Sequence, residues 1–314
     1  MDESNYLVEG TAAALDEQLL PAVDILGVEN EIDVEKVNEL SFDVYKEAVS
    51  VVNLASHLLD DDAAKNGGWP RNQAICAGLL VRISKFMIVV TQLSAGGNRA
   101  EVVAALNRSI LEAAINLEFL VTTNDDTYFD KFVTLGLGPE REPYDTIQEN
   151  IAARGGRVLP IEGRMLSSID DVCRMSGVKI GDVERKHREW AGSVRARLQA
   201  IGKEEQYTAM MRLPSHAVHG NWVDLYKNHL EIDMKSGLFS PKSSFSYVDE
   251  RCFGPIAILV LDTLAPYLLR YFSAVPETRV LSARITNLSD RLSRVGAAHE
   301  RLLSPSTVAI VQNG

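Results

Sequence analysis

Cysteine is scarce in this chain: Cys76, Cys173 and Cys252 are the three in 314 residues, far apart and with no CxxC spacing. An odd, scattered set builds no disulfide framework and fits a reducing compartment. Long apolar runs are missing too. The nearest approach, "FGPIAILVLDTLAPYLL", is interrupted by Asp262, Pro255 and Pro266, short of the roughly 18 apolar residues of a membrane span. The opening "MDESNYLVEG" lacks the basic-then-apolar order of a signal peptide. The expectation is a cytoplasmic protein with no membrane contact. Basic residues are outnumbered, 32 Lys and Arg against 43 Asp and Glu, for a net charge of −11. Such a field repels phosphate backbones and disfavours generic nucleic-acid coating, while leaving room for a local basic pocket. Sustained strand-like alternation is also absent.

What is present is helical. Val34, Val37, Leu40, Val44, Ala48, Val51, Val52 and Ala55 recur at spacings of three and four, the stripe of an amphipathic helix over about 32–61. Two long apolar stretches, from Arg71 to Gly97 and from Asn98 to Asp125, are joined by Gly96-Gly97, with Asn98 as the expected N-cap of the second. A short loop between long helices predicts an antiparallel hairpin. The pattern breaks up over about 125–163, where "LGLGPEREPY" and "ARGGRVLPIEG" concentrate Gly and Pro, so an irregular insertion or lid is expected there. Periodicity returns in "RMLSSIDDVCRMSGV" and "DVERKHREWAGSVRARLQAI", and a helical pair closes the chain over about 247–303. The predicted fold is all-α, a multi-helix bundle with long antiparallel helices. Its parts are an acidic N-terminal segment (1–31), one helical domain (32–303) and a C-terminal tail (304–314).

Chemistry concentrates in "RLPSHAVHGNW", Arg212 to Trp222. His216, His219 and His229 are three of the six histidines. Pro214 favours a helix start, predicting a helix through "PSHAVHGNWVDLYKNHLE" with free N–H groups at Ser215, His216 and Ala217. Those groups, with Arg212 beside them, suit an anion. His216 and His219 share a face, whereas His229 points elsewhere at about 100° per residue. A histidine near a helix start as often only bonds a neighbour, and two histidines without a third ligand do not hold zinc; no metal or cofactor is expected.

A second group, Arg108, Glu112 and Asn116, recurs at spacing four on an otherwise apolar helix. Its ordinary meaning is an i,i+4 surface pair, in the less favoured Arg-before-Glu order. Facing the histidine segment, the same stripe would complete a pocket: Glu112 orienting a histidine, His219 as acid or base, an arginine stabilising developing negative charge. The basic run Arg185, Lys186, Arg188, Arg195 and Arg197 reads as a solvated face, with a phosphate track beside Trp190 as the alternative.

"RSILEAAINLEFL" (Arg108, Glu112) and "YTAMMRLPSHAVHG" (Tyr207, Ser215, His219) resemble a bacterial all-helical family of unknown function, with an R-x3-E helix and a downstream Y…S-x3-H segment. That family is similar to the HEPN superfamily of helical bundles, which includes RNA-cleaving toxins with an arginine and a following histidine separated by four to six residues. Arg212 and His219 stand at the widest such spacing, but Leu213 and Pro214 depart from the polar residue usual after the arginine. The resemblance implies a metal-independent ribonuclease of a toxin or defence system, dimeric, with His219, Arg212, Glu112 and Arg108 as catalytic residues. The alternative is a non-catalytic protein binding an anionic small molecule or a protein partner through the same pocket, with Ser215, His216, Asn116, Tyr207 and Asn221 as contacts.

Overall fold

The computed structural model describes residues 14–15, 17–184, 190–212 and 215–304, with the side chains of Asp61 and Arg212 left aside. Helix α1, Val34–Ala55, begins where Asp33 accepts from the Glu35 N–H, and it buries the predicted stripe through Val37, Val44, Ala48, Val51, Val52 and Ala55. Helices α2, Arg71–Ser94, and α3, Ala100–Thr123, form the expected hairpin, turning through Gly97 at φ +70°. Asn98 is not the N-cap. Arg99 holds that position in the left-handed region with no side-chain cap bond. The start of α3 is satisfied from outside instead: the Ala100 N–H donates to Ser246 O and the Val248 N–H to Gly97 O, while Glu101 Oε1 accepts from the Ser246 N–H at 2.9 Å. A neighbouring loop thus does the capping work that local sequence suggested for Asn98.

The Gly- and Pro-rich middle is more regular than its composition suggests. It forms α4, Asp126–Gly136, α5, Gly138–Ala153, and α6, Pro160–Ser176. Its breakers sit at helix ends, with Gly155 and Gly156 at positive φ and Pro160 in the first turn of α6. Pro143 lies inside α5, where a proline forfeits one backbone bond. Leu137, Ile169, Cys173 and Val183 build a small core of their own here, so the expected irregular insertion is a helical subunit of the fold.

Helix α7 covers only Val194–Ala200, capped by Ser193, whose Oγ accepts from the Ala196 N–H. Arg185, Lys186 and Arg188 lie outside the described residues. Arg197 is not on a solvated face: it is 3% exposed, donates to Gly192 O and lies over the Trp190 ring. Trp190 itself packs edge-on to Phe119 and Phe132, which removes it as a stacking surface for a nucleic acid.

The bundle closes with α9, Gly254–Phe272, and α10, Pro276–Leu303; α8 is described with the site below. Helix α9 is central, packed against α1, α3 and α10. By length and composition, α2 and the segment Glu250–Phe272 could each cross a membrane; here both contribute to one core with α1, α3 and α10. Leu19, Ile25 and Val28 join that core from ahead of residue 32. Two polar devices are buried in it. Glu47 accepts two 2.6 Å bonds from Arg291 and a 2.7 Å pair from Arg284. Glu250 is 4% exposed, with His299 Nδ1 4.0 Å from its carboxylate. A Cβ at Gly254 would fall 1.9 Å from its Oε1, and one at Gly296 3.2 Å from it, so two glycines make the space this carboxyl occupies.

Candidate functional site

Among the described residues, helix α8 is Ser215–His219. The continuous helix expected from Pro214 onward stops at Gly220, whose φ of +55° is a conformation open to glycine at little cost. Asn221 then starts a new turn, Trp222–Asp224, its Oδ1 accepting from the Val223 and Asp224 N–H groups. A wide turn over Leu225–His229 leads into a small antiparallel hairpin, β1 Leu230–Ile232 with β2 Phe239–Pro241. His229 is drawn to Asp224 at 3.3 Å, apart from the other histidines.

Helices α7 and α8 and the turn Thr208–Arg212 all pack on α3, which brings the two sequence-predicted groups face to face. Between them lies a cavity of about 340 Å³ lined by Arg108, Ser193, Val194, Tyr207, Met211, Ser215, His216 and Asn221. Five of the nine residues singled out from sequence therefore meet here: Arg108, Tyr207, Ser215, His216 and Asn221. Glu112 reaches the site indirectly, accepting from Arg108 Nη1 at 2.8 Å. Its side chain is 46% exposed against 20% for the arginine, so solvent screens the carboxylate and the pair is worth only about 0.3–0.5 kcal/mol. Asn116, one turn further along α3, does not line the cavity, and its Oδ1 is buried without a partner. His219 is exposed and also off the cavity; the Arg212 side chain lies outside the described residues.

The protonation of His216 follows from its neighbour. Both bonds to Asn221 Oδ1 come from backbone donors, which fixes the amide and leaves Nδ2 facing His216 Nδ1 at 2.5 Å. An NH₂ group donates, so Nδ1 accepts, and the ring N–H is the one on Nε2. The ring's remaining polar group is a donor. With the Arg108 guanidinium and the hydroxyls of Ser193, Tyr207 and Ser215, the lining is rich in groups that donate to an anion. Val194 and Met211 supply apolar wall.

Ser193, Val194 and Met211 were not singled out from sequence. Ser193 had a readable signal, since a Ser immediately before a helical stretch is a capping pattern; nothing local tied Val194 or Met211 to the histidine segment. Among the described residues, no three His, Cys, Asp or Glu side chains gather into a metal-binding group.

A family model described as a family of unknown function, DUF5677, matches residues 73–236. The chain belongs to this family. The matched half runs from the first turn of α2 to just beyond β1 and holds every residue that lines the cavity, whereas α1, β2, α9 and α10 lie outside it. No curated protein and no solved structure matches the chain.

Proposed function

We propose that this DUF5677 chain is a binding protein for an anionic small molecule, held in the cavity between α3 and α8. The observation that carries the reading is the hydrogen-bond polarity of the lining: a guanidinium, an imidazole whose free nitrogen is a donor, and three hydroxyls converge from separate segments. Charge-assisted bonds from Arg to an oxyanion are among the stronger polar contacts, and a cavity of this size is at the small end of ligand pockets.

The same polarity argues against metal-independent RNA cleavage centred on His216. A general base must offer an unprotonated nitrogen to the 2′-hydroxyl, and Nδ1 is engaged by Asn221 while Nε2 carries the proton. His219 would have to act from an exposed position outside the cavity.

Calorimetric titration of the purified chain with acetate and with inorganic phosphate tests the reading. Saturable binding of at least one anion is expected, weakened at least tenfold in Arg108→Gln. Absence of binding by either, or equal binding by the variant, rejects it. Cleavage of a mixed RNA pool that survives chelator and is lost in His219→Ala would replace it with the nuclease reading.

A further inference from the structure

A second and larger cavity, of about 1750 Å³, opens where the chain leaving α1 meets the start of α2 and the turn from α9 into α10. It shares no residue with the cavity on α3. Its volume exceeds the roughly 300–1,000 Å³ of ordinary small-molecule pockets, so it has room for an extended ligand.

The described lining carries three carboxylates, Asp60, Asp62 and Glu277, against one ammonium, Lys65. Asp16 and Asp61, which adjoin lining residues in sequence, are acidic too, and residues 1–13 hold Asp2, Glu3 and Glu9 with no Lys or Arg. The local excess is negative, like the −11 of the whole chain, and both attract a cation. Asp60 is already engaged, its Oδ1 accepting from the Ala63 N–H and its Oδ2 from Gln73 Nε2, each at 2.7 Å. Asp62 and Glu277 enter no ion pair among the described residues. His57 adds an acceptor. Its Nδ1 lies 2.7 Å from the Asn53 carbonyl oxygen, which only accepts, so Nδ1 is a donor and in the neutral ring Nε2 accepts. The hydrogen-bond polarity is thus the reverse of that at His216.

Trp69 supplies a different kind of surface. Its Nε1 is shut off from solvent with no hydrogen-bond partner among the described residues, yet the residue is only partly buried and lines the cavity. The part of the indole that meets the cavity is therefore carbon. A buried donor left orphaned costs about 1–3 kcal/mol, so this orientation is not the one that local hydrogen bonding would select. An indole surface beside carboxylates attracts an organic ammonium, whereas a hard metal ion takes oxygen ligands and keeps its waters. Leu54, Leu58 and Val275 extend the apolar wall, which suits an alkyl chain.

We propose that this cavity binds an aliphatic polyamine. Its ammonium groups meet Asp62 and Glu277, His57 Nε2 is a further acceptor, and the alkyl chain lies along Trp69 and the apolar wall.

Calorimetry of the full chain at pH 7.5 and constant ionic strength, with spermidine, n-butylamine and magnesium chloride, tests it. The variants are Asp62→Asn, Glu277→Gln, Trp69→Phe, Trp69→Leu and, as a charge control away from the cavity, Glu149→Gln on α5. Saturable binding of spermidine is expected, at least tenfold tighter than n-butylamine, because several charges on one chain act together. Each carboxylate variant should weaken it about threefold, and the two combined about tenfold. Trp69→Leu should weaken it about fivefold, and Trp69→Phe should keep most of the affinity. Thermal unfolding checks that the tryptophan variants fold; if they do not, the two carboxylate variants decide. Absence of saturable spermidine binding overturns the site. So does a loss in Glu149→Gln equal to that in Asp62→Asn, which would leave only the general field of an acidic chain. Magnesium or n-butylamine binding as tightly as spermidine overturns the polyamine class.

Discussion

Replacing Glu250 by glutamine should make the protein more stable at alkaline pH, by an amount the structure sets. Burial, and next the charges of Asp249 and Glu300, push this carboxyl from its ordinary 4.5 up to about 7. No donor among the described residues compensates it; His299 Nδ1 stands at 4.0 Å and has no hydrogen-bond partner of its own. With a folded pKa above the unfolded one, the stabilising contribution is complete below about 4.5 and is lost as pH rises through about 7. At about 1.4 kcal/mol per pH unit, the ionised side chain costs the fold about 3 kcal/mol by pH 8. A chain of this length has an unfolding entropy on the order of 0.7 kcal/mol/K, so the penalty corresponds to about 4–5 °C in Tm. The assay is thermal unfolding of wild type and Glu250→Gln at intervals from pH 4.5 to 8.5. Only the change in their Tm difference with pH is read, which cancels any pH-independent cost of the swap. His299, held low chiefly by burial, works in the opposite sense: its contribution is present above about 6.5 and lost as pH falls. That term is shared by both proteins. The difference should open in favour of the glutamine variant by about 4–5 °C toward pH 8. A difference that stays flat, or moves the other way, refutes the claim that Glu250 is an uncompensated buried carboxyl.

Other substitutions address other parts of the account. Glu47→Ala leaves the buried Arg291 guanidinium, and the half-buried Arg284 beside it, without their shared carboxylate and should cost about 3–5 kcal/mol, seen as a shift of the urea midpoint at unchanged slope. Asn221→Asp replaces the amide that donates to His216 Nδ1 with an acceptor; imidazole ¹⁵N shifts should then report the proton on Nδ1 instead of Nε2, and an unchanged pattern would remove the basis for a donor-lined cavity. Leu264→Ala, at a fully buried position of α9, should cost about 2–5 kcal/mol in the same unfolding assay.

The bundle was legible because its signals are local and repeated. The α1 stripe and the Gly96-Gly97 break between α2 and α3 depend on spacing and on two breakers, and both survive tertiary packing. Errors arose where a distant segment supplied what a nearby residue seemed to offer: the loop at Ser246 and Val248, not Asn98, satisfies the start of α3. Gly and Pro between 125 and 163 suggested disorder of pattern, yet at helix ends these residues punctuate helices without abolishing them. The pairing of the Arg108 helix with the His216 segment was foreseeable as a set of polar residues needing partners. What was hidden is which side of α8 meets α3. Gly220 ends that helix at His219, and within it His216 lines the cavity while His219 does not. Burial of Arg197 and Trp190 was equally invisible, since a basic run on a short helix looks the same whether its stems are solvated or packed on aromatic rings.

The central claim is that Arg108 and His216 present donors to an anion, and side-chain ¹⁵N NMR during an acetate titration at constant ionic strength tests it most directly. The account predicts saturable shifts of the Arg108 Nε–H and of a protonated His216 Nε2 with one common midpoint, and loss of the His216 response in Arg108→Gln. Shifts that do not saturate, or a His216 response that persists without Arg108, would contradict it.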